Sequence, residues 1–238
     1  LIENMRREGY ELAVGKPHVV VKVENGKRLE PVEILVVDVP ESGVGAAMEL
    51  VGNRRGELKT MEPRTDGMTH LEFEIPSRGL IGLRSRLLNA TGGEAIVHHA
   101  FERFAPVPAD VPGRQQGVLI ASEGGAATAY SIDSLSDRGQ LFVTPGDKVY
   151  EGQIVGEHAR ENDLTVNVVR AKQLTNFREA NKEAFVRLKA SRDMSLEQCL
   201  EYVEEDELVE ITPLAVRLRK RLLREADRKR EDRRSKKG

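Results

Sequence analysis

Tryptophan is absent from this chain of 238 residues, aromatic side chains make up 4% of it, and cysteine occurs once. So few rings disfavour an aromatic ligand cage and leave aliphatic residues to build the core, for which 39% hydrophobic residues suffice. The single Cys199 can form no internal disulfide, and in LEQCLEYV it follows a helical pattern as a small buried hydrophobe rather than a nucleophile. No window approaches about 18 consecutive apolar residues, and the start lacks the basic-then-apolar order of a secretory signal. A soluble, cytoplasmic protein with no membrane partner is expected. Motifs for chemistry are missing too. No Gly-x-x-x-x-Gly-Lys-Ser/Thr loop exists to cradle nucleotide phosphates, and neither Gly-x-Ser-x-Gly nor Cys-x-x-Cys occurs. His98 and His99 are adjacent in an extended pattern, where neighbouring side chains point to opposite faces and cannot share one metal. The expectation is a chain with no catalytic residue, no metal and no cofactor of its own.

What is present is mostly strand-length alternation broken by turn residues. LIENMRREGY reads as a helix stopped at Gly9, with no capping residue before Leu1, so the chain is expected to be cut from something longer. PVEILVVDV is a strand, and Ser42 a candidate cap for the helix through Ala46, Ala47, Leu50 and Val51. Two strands flank the Asp66-Gly67 turn. Ser77 is the candidate cap of a second helix carrying Leu80, Leu83, Leu87 and Leu88, which ends at Gly92-Gly93 before the strand EAIVHHAFERF. The order β-α-β-β-α-β predicts a ferredoxin-like split β-α-β domain. PVPADVP reads as a hinge. Beyond it GVLIAS, ATAYSI, QLFVT, KVYEGQIVGEHA and LTVNVV predict a small β-rich barrel or sandwich, followed by a helix with a Ser195/Gln198 capping box and a basic tail. In TPLAVRLRKRLL, Thr212-Pro213 suits a helix start whereas the alternation of Val216 and Leu218 with Arg217 and Arg219 suits a strand. The fold class is α+β.

Charge is uneven along the chain. The net value is −2, yet residues 213–238 carry twelve Lys and Arg against four Asp and Glu. Such a segment has the electrostatic character of a phosphate binder, although solvated tails share it. The polar run KQLTNFREANKE, residues 172–183, interrupts a region of short strands and is too long for a simple connector. Lys172, Gln173, Asn176, Arg178 and Lys182 supply cations and amides suited to ribose and phosphate, and Phe177 supplies a ring that can stack on a base. Further candidates are Arg78, Arg84 and Arg86 near the second helix, Arg160 in a polar turn, and Lys220 and Arg221 in the tail. Arg54 and Arg55 end a helix, where a cation also suits the dipole. A competing reading uses the acidic stretch around 197–210 as a protein-interaction surface.

The stretch from PVEILVVDVPESG to HHAFERFAPVP resembles domain V of elongation factor G, on the strand followed by Pro-Glu, the helix ending Asn53-Arg54-Arg55-Gly56, and Met61-Glu62-Pro63-Arg64. IPSRGLIG, GQLFVTPGDKVYEGQIVGEHARENDLTVN, KQLTN and DELVEITP resemble the TypA/BipA family of translational GTPases. The resemblance implies the end of domain III at 1–30, a domain V-like ferredoxin fold at 31–108 and a family-specific C-terminal domain at 109–238. It further implies a GTPase whose GTP and Mg sites lie in a domain this chain lacks, and partners in large-subunit ribosomal RNA and A-site tRNA rather than DNA. Roles in large-subunit assembly and in translation under stress are implied as well, with loop 172–183 reaching towards the tRNA. After Lys-Gln-Leu-Thr-Asn the family's usual Val/Met-Arg-Ala-Ser-Gly is replaced by Phe-Arg-Glu-Ala-Asn, which stiffens the tip and makes it less basic.

Overall fold

The computed structural model describes residues 1–106, 114–171 and 188–235. They form two compact units, Pro17–Gly113 and a second made of Leu1–Lys16 together with Arg114–Gly238. This division departs from the expected boundaries, because the first sixteen residues belong with the C-terminal unit. Helix α1 (Ile2–Arg7) leads there into β1 (Leu12–Val14), and β1 pairs antiparallel with a strand two hundred residues away, Leu12 opposite Ile211.

The unit Pro17–Gly113 contains β2 (Lys22–Glu24), β3 (Lys27–Pro40), α2 (Val44–Gly52), β4 (Glu57–Pro63), β5 (Met68–Pro76), α3 (Leu83–Ala90) and β6 (Ile96–Pro106). Its sheet runs β4-β5-β3-β6, all antiparallel, which is the expected ferredoxin-like order, and β2 adds a hairpin to the start of β3. That hairpin turns on Asn25 and Gly26, both at positive φ (51° and 75°), the pair of left-handed residues a two-residue turn needs to match strand twist. Leu35, Val37, Val39, Leu71, Phe73 and Ile75 project from one sheet face against Ala47, Val51, Leu83 and Leu87 of the two helices. All are essentially fully buried. Neither serine caps its helix. Ser42 lies in a 3-10 turn and Gly43 takes the cap position of α2, while the Ser77 hydroxyl donates to the Glu33 carboxylate at 2.6 Å. A carboxylate acceptor binds a hydroxyl more strongly than a neutral backbone partner does. The helix begins later as a result, after Gly82 at φ +69°.

In the other unit the chain gives β7 (Val118–Ala121), β8 (Gly125–Ala126), α4 (Ala129–Leu135), β9 (Gly139–Leu141), β10 (Lys148–Val149), β11 (Gln153–His158), β12 (Leu164–Val166), α5 (Leu196–Tyr202), β13 (Glu207–Ile211), β14 (Val216–Lys220) and α6 (Glu225–Ser235). The sheet order is β1-β13-β14-β11-β7-β12, with β9 also on β11 and only β12 against β7 parallel. ATAYSI, expected as a strand, is largely helix α4: the Thr128 hydroxyl accepts from the Ser131 N–H at 3.2 Å, and Ile132 and Leu135 then fall on one buried face. The Ser195/Gln198 capping box is present in full. The ambiguous segment after Pro213 is strand β14. Gly152, at φ +85°, lies where a side chain would stand 2.6 Å from the Leu223 backbone, so the chain can pass there only without one. Cys199 is buried, and burial pushes its thiol up to about 11, away from nucleophile chemistry. No helix among the described residues is long and apolar enough to cross a membrane.

Candidate nucleic-acid interface

Strand parity sorts the cations of β14. Val216, Leu218 and Lys220 share one face, which is the buried one, and Arg217 and Arg219 share the other. The hairpin register sets Lys220 directly opposite Glu207 and Arg217 opposite Glu210. Lys220 is therefore inside, 2% exposed, with its Nζ 2.6 Å from Asp163, 2.8 Å from Asp206 and 2.9 Å from Glu207. The structure gives this lysine, expected as a phosphate contact, three internal carboxylates instead of an outward-facing ammonium. Burial alone would lower its pKa, but Glu207 and the bonds to Asp163 and Asp206 outweigh that and raise it.

Arg114 completes the cluster from a distant part of the sequence. Its guanidinium forks onto Glu207 at 2.8 and 3.0 Å, donates to the Tyr202 carbonyl at 3.2 Å and stacks 4.5 Å from the Tyr202 ring centroid. Glu204, three residues before Glu207, accepts from the Arg114 backbone N–H at 2.8 Å and from Lys16 Nζ at 2.6 Å. Nothing local in the sequence announces Arg114, which lies 93 residues from Glu207. The Glu207–Lys220 pair did have a signal: laying ELVEI antiparallel to VRLRK brings two opposite-charge pairs into register.

The remaining candidates divide into engaged and displayed side chains. Arg78, expected as an RNA contact, is engaged, its Nε 2.9 Å from a Glu30 carboxylate that is 1% exposed, and it compensates that charge inside the ferredoxin-like unit. Arg54 donates to the carbonyls of Gly79 and Ile81 and ties the end of α2 to the turn before α3. Arg55 is exposed with φ +65°. Arg84 and Arg86 stand on the outer side of α3, both exposed. In the turn after β11, His158 and Asp163 serve the structure: His158 Nδ1 lies 2.5 Å from the Asn162 carbonyl, and Asp163 accepts from the Val118 N–H at 2.9 Å. Arg160 between them is exposed. Arg221 is exposed immediately after the buried Lys220, and α6 then presents Lys229, Arg230, Arg233 and Arg234 to solvent, with helical pairs such as Lys229–Glu225 at 2.6 Å and Arg230–Asp227 at 3.5 Å. Lys172, Gln173, Asn176, Phe177, Arg178 and Lys182 lie outside the described residues.

The acidic stretch is also largely committed. Glu204, Asp206 and Glu207 bind Lys16, Arg114 and Lys220, and Glu210 lies 3.7 Å from Arg217 and 3.6 Å from Arg219 while accepting from the Tyr150 hydroxyl at 2.8 Å.

Comparison with known proteins matches two family models in succession. Residues 27–115 match the elongation factor G C-terminus and residues 116–225 the TypA/BipA C-terminal domain. The chain is 51% identical over 220 residues to the large ribosomal subunit assembly factor BipA of Synechocystis, covering 92% of this chain and 37% of that protein. It is 51% identical over 229 residues to the protein of the same description from Bacillus subtilis, covering 96% and 37%. For Escherichia coli K12 the figures are 47% over 234 residues, 98% and 39%. The chain thus spans under two-fifths of the length of these curated relatives. With an elongation factor G-type domain followed by the family's own C-terminal domain, the chain belongs to the TypA/BipA family.

Proposed function

We propose that this chain is the ribosome-docking, RNA-binding part of a translational GTPase that acts in assembly of the large ribosomal subunit. The observation that carries the reading is the run of cations, most of them exposed, from Arg221 through α6, seven Lys and Arg against four Asp and Glu over residues 221–235. A duplex or folded RNA presents a dense row of phosphates, and solvent-exposed cations neutralise them with release of counterions. The relatives' description as large-subunit assembly factors supplies the ribosome as the source of that RNA. Arg84, Arg86, Arg160 and Arg221 are the phosphate-facing candidates, joined by Lys172, Arg178 and Lys182, with Gln173 and Asn176 on ribose and Phe177 on a base. Docking occurs at the elongation-factor site in the cytoplasm, with the 172–183 loop directed at A-site tRNA. GTP and Mg bind in the portion of the longer relatives that this chain does not span, and no bond is made or broken by the residues here. Pelleting of the chain with purified large subunits across a salt series tests the reading. Affinity falls steeply as salt rises; binding that ignores salt, or no binding, rejects it.

A further inference from the structure

Phe101 is 58% exposed in a protein that has only six phenylalanines. The register explains which way it points. On β6, His99 is opposite the buried Leu35 and Phe101 is opposite Glu33, so both look out on the side of the sheet that carries the helices. Phe104, opposite Pro31, is on the same side, and its ring centroid is 5.3 Å from that of Phe101 at 57°. Lys22 of β2, opposite Leu29, places its Nζ 3.9 Å from the Phe104 centroid. Phe101 is exposed here and Phe104 half-buried. Along β6 in the other direction lies a cleft of about 240 Å³ floored by Leu80, Leu83 and Val97 and edged by Arg84, His98 and His99. The carboxylate opposite Phe101, Glu33, is held by His99 Nδ1 at 2.6 Å and by the Ser77 hydroxyl.

We propose that this face of the β6 edge, with Phe101 and Phe104 flanked by Lys22, His99 and Arg84, is a stacking platform for a few consecutive unpaired nucleotides of single-stranded RNA. The inference rests on the RNA-binding reading above and adds a site and a substrate class to it. An exposed ring beside a cation suits a base and its phosphate, because every base offers a π-face and stacking tolerates sequence. A protein partner would call for an apolar surround, yet apart from the Phe104 ring the groups flanking Phe101 on this face are the His99 imidazole and the Glu33 carboxylate. On the opposite face of the same sheet the described charges are paired with one another: Asp38 binds His70 at 2.7 Å and Arg64 at 3.3 Å, and Glu74 binds Lys59 at 2.9 Å and Arg103.

Fluorescence anisotropy with the 238-residue chain and a labelled short uridine oligonucleotide, against an RNA duplex, tests the platform. The single strand should bind more tightly than the duplex. Phe101→Ala should weaken it by roughly 5- to 140-fold, the span that about 1–3 kcal/mol per stacked base represents. Phe101→Tyr should stay within about twofold of the parent because it keeps a face to stack on. Lys22→Glu should weaken binding while leaving Phe101 in place. A preference for duplex, or oligonucleotide affinity unchanged in both Phe101→Ala and Lys22→Glu, overturns the platform and leaves subunit docking standing. Loss of salt-dependent pelleting with large subunits in the unaltered chain overturns the docking itself. Melting of Phe101→Ala should match the parent; a drop of several degrees would make Phe101 a structural residue and also defeat the proposal, as would capture of a protein that Phe101→Ala abolishes while oligonucleotide binding is absent.

Discussion

Strand β14 and helix α6 are both rich in cations and only a few residues apart, yet they use charge in opposite ways. In the strand, two-residue periodicity and a fixed register turn each cation towards a carboxylate of β13, and Lys220 ends up enclosed. In the helix, no neighbouring strand imposes a partner, and Lys229, Arg230, Arg233 and Arg234 remain in solvent. A count of positive residues along the sequence treats the two alike. The difference teaches that backbone geometry decides whether a cation stabilises the fold or is left for a ligand.

The sharpest way to break this comparison is Lys220→Ala. It leaves Glu207, fully buried, without its ammonium, and should cost about 3–5 kcal/mol of unfolding free energy in denaturant titrations. A loss of under about 1 kcal/mol would mean that the cluster is not what holds the hairpin. Acid should release part of the same free energy. Burial alone would raise the Glu207 pKa, but Arg114 and Lys220 hold it below the ordinary 4.5. Its contribution is therefore complete above about pH 4.5 and is lost as pH falls through the lower folded value, so melting temperature should drop with acid below that point and Glu207→Gln should flatten the drop. In α6 the effect should move from stability to binding: Arg230→Ala combined with Arg233→Ala should lower the salt slope of subunit binding by about two while leaving melting unchanged. Thr128→Ala, which removes the cap of α4, should cost about 1 kcal/mol. Smallest of all, Arg221→Ala should stay within about 0.5 kcal/mol of the parent in stability, a result that would set it apart from its neighbour Lys220.

The ferredoxin-like order was legible because its strands alternate cleanly and its turns carry Asn25-Gly26 and Asp66-Gly67, signals that act within a few residues. Helix α4 was not, since Thr, Tyr and Ile favour a strand by propensity and the cap made by Thr128 tips the segment the other way. The serine caps failed for a long-range reason in the case of Ser77, whose acceptor Glu33 lies 44 residues away. Among the site residues, exposure of Arg84, Arg86 and Arg160 followed from their polar surroundings. The burial of Lys220 was missed because charge was counted before strand parity was applied, and the pairing of Arg78 because its partner, the buried Glu30, belongs to another strand. The rings of Phe101 and Phe104 were hidden for the same reason: a strand's sequence does not reveal which of its residues the neighbouring elements leave exposed.

Glu204 has one more implication. The chain leaves the C-terminal unit at Lys16 and re-enters it at Arg114, and both points end on this one carboxylate. A pull delivered along either connector therefore meets the same short bend between Tyr202 and Glu207, alongside the β1–β13 ladder on the Lys16 side and the Arg114–Glu207 fork on the other. Tension from the two crossings thus loads one bend from two directions.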